Sequence, residues 1–253
     1  MLAAERYQHI LRLVNEWGSV RVADLSQLCR VTDETIRRDL DRLESEGHLL
    51  RSYGGAVRAQ AQSTETSHEL REAVHAGEKQ SIAAAAARLL EPNDRIVLDA
   101  STTAIQLAVQ LPDIPLTVLT NSLRISLLLS ERKNITVIGT GGTLVPKSLS
   151  YVGPLAEQFL EEYHVNKAFL SCKGVHLERG ISESNELQAR VKRKMVAMAD
   201  QVFVLADGSK FDVQAFTMIS GWDGIHSVIT DSQAPAGHVQ SLQRRAIEVI
   251  LAG

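Results

Sequence analysis

Cysteine is nearly missing from this 253-residue chain: Cys29 and Cys172 are the only two, too few for a disulfide framework and in no metal-ligand spacing. Long apolar runs are missing too. The longest, Ile82–Ala87, is ended by Arg88 and falls far short of the roughly 20 residues that cross a bilayer, so no membrane partner is expected. Glu5 and Arg6 come almost at once, with no cationic segment ahead of an apolar core, so the expectation is a cytoplasmic protein without a secretory signal. The net charge of -3 excludes a uniformly basic nucleic-acid coat but not a local basic surface. Gly139-Thr140-Gly141 lacks the third glycine of a dinucleotide fingerprint, Leu144 standing in its place, and no Walker-type loop occurs. The eight histidines form no helical or turn-spaced pair, so neither a metal nor another cofactor is expected. What is present is ordinary globular composition, 44% hydrophobic and 23% charged, at a length that suits one or two domains.

The chain divides by pattern. Tyr7, Ile10, Leu11, Val14 and Trp17 recur at helical spacing, with Gly18 as a stop. Val22, Leu25 and Leu28 predict a second, shorter helix. Thr32 is a good N-cap for a third, with Asp33 and Glu34 at its positive end, Ile36, Leu40 and Leu43 on one stripe, and a stop near Gly47. Leu49–Val57 reads as a hairpin turning at Gly54-Gly55. Helix, helix, tight turn, helix, hairpin is the order of a winged helix-turn-helix, here over 1–58. Residues 59–72, rich in Ala, Gln, Ser, Thr and Glu, read as a linker. From 73 to 253 the pattern is α/β. Apolar strands at Arg95–Leu98, Leu116–Leu119, Ile135–Ile138, Lys167–Leu170, Val202–Leu205 and Ser227–Ile229 alternate with helices such as Ser81–Leu90, Thr103–Leu111, Leu123–Leu129, Leu155–Glu162 and Leu187–Ala199. Such alternation implies a mostly parallel sheet covered on both faces.

With Ile36, Leu40 and Leu43 turned inward, Glu34, Arg38 and Asp41 fall on the far side of the third helix. Arg37 and Arg42 flank them, and Thr35 sits beside Arg42. Arginine forks on such a face suit the major groove, where they bond guanine edges or phosphates bidentately. Arg51, Tyr53 and the bare backbone of Gly54 in the wing are placed for an adjacent phosphate or minor groove. Residues 1–58 hold nine arginines, no lysine and nine carboxylates, a formal charge of zero. The charges alone fit a solvated helix face equally well; the ordered helix-turn-helix and hairpin favour DNA.

Polar loops follow the strands: Asp99-Ala100-Ser101-Thr102-Thr103, Thr120-Asn121-Ser122, Gly139-Thr140-Gly141-Gly142-Thr143, Ser171-Cys172-Lys173-Gly174 and Asp207-Gly208-Ser209-Lys210. In an open parallel sheet the carboxyl ends of the strands meet one crevice. Ser101, Thr102 and Thr103 open a helix whose amides suit an anion. Lys173 and Lys210 supply neutralising charge, and Asp99, Asn121 and Glu183 accept from hydroxyls. Each loop alone is an ordinary turn composition; five at strand ends point to a small phosphorylated polyol or sugar. Cys172 reads as a small loop residue rather than a reactive thiol.

Val31-Thr32-Asp33-Glu34-Thr35-Ile36-Arg37-Arg38-Asp39-Leu40, with Leu43-Glu44, Gly47 and Arg51-Ser52-Tyr53-Gly54-Gly55-Ala56, resembles the DeoR family of bacterial sugar-metabolism repressors over essentially the whole chain. The resemblance implies a sensor domain of the ribose-5-phosphate isomerase and CoA-transferase type that binds phosphorylated sugars. The family's Asp-x-Gly-Thr-Thr loop appears as Asp99-Ala100-Ser101-Thr102-Thr103; Ser101 replaces the usual glycine and adds a hydroxyl. Thr120-Asn121-Ser122, Gly141-Gly142 and Asp207-Ser209-Lys210 match their counterparts. Leu111-Pro112-Asp113-Ile114, Ser171–Gly174 and Ser184-Asn185 look most like the branch of the fucose-operon regulator, which implies a 6-deoxyketose-1-phosphate effector.

The expected function is repression of a carbohydrate operon by a homo-oligomer, dimer or tetramer, with Thr32, Glu34, Thr35, Arg37, Arg38, Arg42, Arg51, Tyr53 and Gly54 at operator DNA. One rival is a sugar-phosphate enzyme with a DNA-binding attachment, using Lys210, Asp99 and Glu183 as acid or base. Another is transcriptional activation.

Overall fold

In a computed structural model of the chain, apolar spacing near the start converts into three helices, α1 (Ala3–Trp17), α2 (Val22–Cys29) and α3 (Asp33–Ser45), with a short strand β1 (Ser19–Arg21) between the first two. Strands β2 (Leu49–Ser52) and β3 (Gly55–Arg58) complete an antiparallel sheet of order β1-β3-β2, a winged helix-turn-helix. The structure describes residues 3–17, 19–45, 48–52, 54–58 and 68–253. Gly18, Gly47, Tyr53 and residues 59–67 of the expected linker lie outside them.

Thr32 starts α3 as its sequence predicts: its hydroxyl accepts from the Thr35 amide at 3.3 Å, and its carbonyl accepts from Ile36. Ile36, Leu40 and Leu43 are buried, each worth roughly 1.5–3 kcal/mol of transfer free energy. Leu28 departs from the expected stripe of α2. It is 48% exposed, and Cys29 takes the inward place beside Val22 and Leu25. The small, weakly polar thiol fits a site where the helix ends at left-handed Arg30 (φ 55°). The two wing glycines also divide their work. Gly54 (φ 83°) makes the turn, whereas Gly55 is already strand, and a Cβ there would stand 2.0 Å from the Val20 carbonyl oxygen of β1. The β1 pairing itself was not legible, because three residues carry too little alternation.

The second unit, Glu65–Gly253, is separate from the first, Met1–Thr64. It begins with α4 (His68–Ala73) and α5 (Ala76–Ala87), so part of the expected linker is helix. Then come β4 (Arg95–Leu98), α6 (Thr102–Val109), β5 (Leu116–Thr120), α7 (Leu123–Leu129) and β6 (Ile135–Gly139). A small hairpin, β7 (Thr143–Val145) and β8 (Ser150–Val152), leads to α8 (Pro154–Glu161) and β9 (Val165–Ser171). Strands β10 (Gly174–His176) and β11 (Gly180–Glu183) precede α9 (Glu186–Ala197), and β12 (Ala199–Leu205) and β13 (Thr217–Ser220) follow it. The chain ends through β14 (Ser227–Asp231), α10 (Ala236–Arg244) and β15 (Glu248–Ala252).

Seven strands form one parallel sheet of order β15-β14-β12-β9-β4-β5-β6. Side chains alternate between two cores. Ile96, Leu98, Phe169 and Phe203 pack with α5, α6 and α7; Val97, Ala168, Leu170 and Val204 pack with α8 and α9 on the other face. From β4 the chain winds out to β6, then returns to β9 on the opposite side of β4. The gap between β4 and β9 is therefore the topological switch point, where ligands bind in open α/β sheets. A second, antiparallel sheet of order β10-β11-β13 rises from the carboxyl end of β9.

Candidate functional site

On the first unit, the outward face of α3 carries Glu34, Arg37, Arg38, Asp41 and Arg42, all exposed. Arg37 and Arg38 have no hydrogen-bond or ion-pair partner among the described residues, so both guanidinium forks stand open to a ligand. The other predicted contacts are already engaged. Arg42 lies 5.4 Å from the Tyr7 ring centroid, a cation–π contact that leans it on α1. Arg51 pairs with Asp41 at 3.0 Å and donates to the Gly55 carbonyl at 3.1 Å, holding the wing against α3 rather than reaching outward. The Thr32 and Thr35 hydroxyls bond each other at 2.9 Å. Gly54 is exposed, and Tyr53 lies outside the described residues.

Sequence reasoning missed the residue that fixes α3. Asp39, inside the Thr-Ile-Arg-Arg-Asp-Leu string, is buried and accepts from Arg6 of α1 at two atoms, Nε to Oδ2 at 2.5 Å and Nη2 to Oδ1 at 3.2 Å. That bidentate bond, outweighing burial, raises the Arg6 guanidinium above its ordinary value.

On the second unit, all five polar loops lie at the carboxyl edge of the parallel sheet. Ser101 caps α6, accepting from the Ala104 amide at 3.1 Å and donating to Asp99 Oδ1 at 2.6 Å. The added hydroxyl is thus committed inside the loop, a correction to its expected role toward ligand. Thr102 and Thr103 follow in the first turn of α6, where backbone amides point out of the helix end. Asn121 is buried; its Nδ2 donates to the Tyr151 carbonyl at 2.9 Å, while its Oδ1 has no partner among the described residues. A buried acceptor left unmet costs about 1–3 kcal/mol, so it suits a donor brought by a ligand.

Asp99 and Glu183 are not free acceptors. Between them sits Lys192 of α9, fully buried. Its Nζ donates to Glu183 Oε2 at 2.6 Å and to the Ser171 carbonyl at 2.8 Å, and lies 3.2 Å from Asp99 Oδ2. Burial alone would push the ammonium down; the two carboxylates outweigh it and hold it above its ordinary value. Burial alone would likewise push Glu183 up, but Lys192 outweighs it and keeps the carboxyl below the usual range. Lys192 was missed because Arg190–Lys194 looks like a solvated basic run; the available signal was its place on the buried stripe of Gln188, Val191 and Met195.

Lys173 and Lys210 follow β9 and β12. Partial burial and the neighbouring Lys210 ammonium hold Lys173 below its ordinary value. Lys79 of α5 joins them: burial first and Lys210 second lower it as well. Lys210 thus disfavours the charge on both Lys79 and Lys173, while the Lys79 ammonium donates to the Arg71 and Val74 carbonyls. Asn185 spends its carbonyl capping α9, accepting from Leu187 at 2.9 Å and Gln188 at 3.2 Å. Gly141 and Gly142 follow edge strand β6, two strands from Asp99. Gly142 (φ 110°) is required by packing, since a Cβ there would meet the Val152 carbonyl oxygen at 2.8 Å. The Cys172 thiol is buried, and burial pushes it up to about 12, as befits a small loop residue without reactivity at neutral pH. No helix among the described residues is long and apolar enough to cross a membrane.

A winged helix-turn-helix joined to a parallel α/β unit with a polar crevice defines the class: a DNA-binding regulator with a ligand-sensing domain. Comparison with known proteins then gives the family. Residues 6–62 match the DeoR-like helix-turn-helix domain, and residues 74–232 match the DeoR C terminal sensor domain. An uncharacterized HTH-type transcriptional regulator of Bacillus subtilis, YulB, is 48% identical over 98% of this chain and 96% of its own length. A putative aga operon transcriptional repressor of Escherichia coli O157:H7 is 36% identical over 99% and 94%. The L-fucose operon activator of Haemophilus influenzae is 36% identical over 97% and 99%. The chain belongs to the DeoR family of transcriptional regulators. Among solved structures, ribose 5-phosphate isomerase A of Methanocaldococcus jannaschii is similar at 18% identity over 53% of each chain, with a TM-score of 0.40. The sorbitol operon regulator SorC of Klebsiella pneumoniae is similar at 12% identity over 81% of this chain and 88% of that one, with a TM-score of 0.39.

Proposed function

We propose that this regulator represses a carbohydrate-utilisation operon and leaves its operator when a phosphorylated sugar binds the second unit. The observation that carries the reading is the cluster of Lys79, Lys173 and Lys210 at the carboxyl edge that also holds the amide end of α6 and the unmet Asn121 Oδ1. Phosphate answers the first two features and a sugar hydroxyl the third. The relative named for the fucose operon supports a 6-deoxyketose-1-phosphate as the effector. In this reading 1–58 binds DNA, 59–72 tethers it, and 73–253 senses the sugar. The working form is a dimer or tetramer, because one short helix reads too few base pairs for useful specificity. Sugar and operator oppose each other by linkage: each binds better the arrangement that the other disfavours.

The enzyme reading loses its acid and base, since Asp99 and Glu183 are both held by Lys192. Activation is favoured by one specific observation, the activator name of the Haemophilus influenzae relative. Transcription measured with and without the gene separates activation from repression.

Operator binding, measured on a duplex selected from random sequences by the wild-type chain, tests the first half. Arg38→Ala should weaken binding to that duplex by about 1–3 kcal/mol, the worth of one bidentate base contact, and by much less on random DNA. Equal losses on both would reassign Arg38 to phosphate anchoring.

A further inference from the structure

Along the middle of the outward face of α3 runs one row, Glu34, Arg38, Asp41 and Ser45, set by helical spacing opposite buried Ile36, Leu40 and Leu43. The C-terminal half of that row is spent within the protein. Asp41 pairs with Arg51 of the wing at 3.0 Å, and the Ser45 hydroxyl donates to the Arg42 carbonyl at 2.7 Å. The N-terminal half is not spent. Glu34 and Arg38 are exposed and stand at i and i+4, the spacing at which a carboxylate and a guanidinium on one helix commonly pair. Neither has a hydrogen-bond or ion-pair partner among the described residues. One face thus carries two carboxylates in opposite states, Asp41 neutralised by an arginine and Glu34 left open beside one.

We propose that Glu34 reads a base: its carboxylate accepts from the N4 amino group of a cytosine, one or two base pairs from the guanine that Arg38 reads. The proposal rests on the operator-binding reading above and adds to it the chemistry of two base pairs. In a groove walled by phosphates a carboxylate is repelled by any DNA, and only an amino donor on a base edge offsets that cost. Two bases offer such a donor in the major groove. Adenine N6 lies between two acceptors, its own N7 and the thymine O4 opposite, and both repel a carboxylate. Cytosine N4 has an acceptor on one side only, the guanine O6, so cytosine is the base selected. Position agrees with this chemistry. The N-terminal residues of a recognition helix reach base edges, and Glu34 and Arg38 both lie in the first half of α3. One helical turn separates them by about 5–6 Å, against about 3.4 Å per base-pair step, which sets the two contacts one or two steps apart.

The test is selection of duplexes from a random-sequence pool by the full-length wild type, Glu34→Ala, Glu34→Gln and Arg38→Ala. Duplexes selected by the wild type should carry a cytosine and a guanine one or two base pairs apart. Glu34→Ala should lose the preference for that cytosine, worth about tenfold, and keep the preferences at other positions. It should also bind random DNA more tightly, because a charge repelled by phosphate is gone. Glu34→Gln should turn the same position to adenine, whose N6 and N7 a carboxamide meets together. Arg38→Ala should erase the preference for the neighbouring guanine. A Glu34→Ala that selects the wild-type sequence, or that weakens on selected and random DNA alike, overturns the inference and leaves the carboxylate serving the positive end of α3. Should Glu34→Ala fold poorly, Glu34→Gln decides, and its selection of the wild-type cytosine overturns the inference equally. A wild type that selects no sequence overturns the operator-binding reading itself.

Discussion

Lys192→Met should destabilise the sensor unit by about 3–5 kcal/mol, because it strands buried carboxylates without their counter-ion. The methionine fills much the same volume, so loss of packing is small and the electrostatic loss dominates. The Lys192 ammonium donates to the carbonyl at the end of β9 and to Glu183 of β11, and it pairs with Asp99 after β4, so three different segments meet on it. The effect has a pH signature. Glu183 is held below the ordinary range in the wild type, so its contribution is complete above the unfolded carboxylate value near 4.3 and drains away as pH falls through the lower folded value. Lys192 is raised, so its contribution is complete below its unfolded value near 10.4 and is lost only as pH rises past it. Between about pH 5 and 9 the contribution of this pair should therefore be flat. Without Lys192, burial pushes Glu183 up, and stability should fall as pH climbs from about 4 to 7. Urea unfolding at several pH values checks this; a variant with the wild-type profile would show that the cluster contributes little.

Asp39→Ala should have its largest effect on a different property, operator binding. Removing Asp39 leaves Arg6 buried and charged between α1 and α3, a loss of about 3–5 kcal/mol. A domain of this size rarely commands more than roughly that much stability from its core. The first unit should therefore be largely unfolded, and operator binding lost, while the second keeps its own unfolding transition and its anion binding. Circular dichroism together with a DNA titration tests the pair of outcomes. Retained operator affinity would mean that the apolar stripe of α3 suffices without the ion pair.

Three of the residues that matter most share one signature that was open to sequence reasoning. Asp39 stands with Ile36, Leu40 and Leu43; Lys79 with Ile82, Ala83 and Ala86; Lys192 with Gln188, Val191 and Met195. Each is a charged residue at helical spacing on an otherwise inward stripe, and each is buried against a partner. The sequence assigns them by type to the solvent, but the period assigns them to the interior, and the period is right. The long parallel strands were legible because burial on both faces leaves short apolar runs such as Ile96–Leu98 and Val202–Leu205. Strands β1, β10, β11 and β13 were not, since three or four residues carry no period. Convergence of the polar loops followed from strand order. Their internal bonding did not: nothing in the spacing of Asp99 and Ser101 tells that their side chains bond each other instead of a ligand. Helix α4 was hidden by its setting in a polar segment and owes its place to Lys79 and Arg124, both distant in pattern from it.

The central claim is that two binding surfaces on one chain oppose each other, and one titration addresses it directly. The full-length protein is titrated into its selected duplex with no addition, with a phosphorylated ketose such as fuculose-1-phosphate or rhamnulose-1-phosphate, and with the same sugar lacking phosphate. The account predicts an operator affinity lowered about 5–150-fold by a sugar phosphate, the usual range of allosteric coupling, and unmoved by the free sugar. An operator affinity identical in all three, across a panel of sugar phosphates, would contradict it.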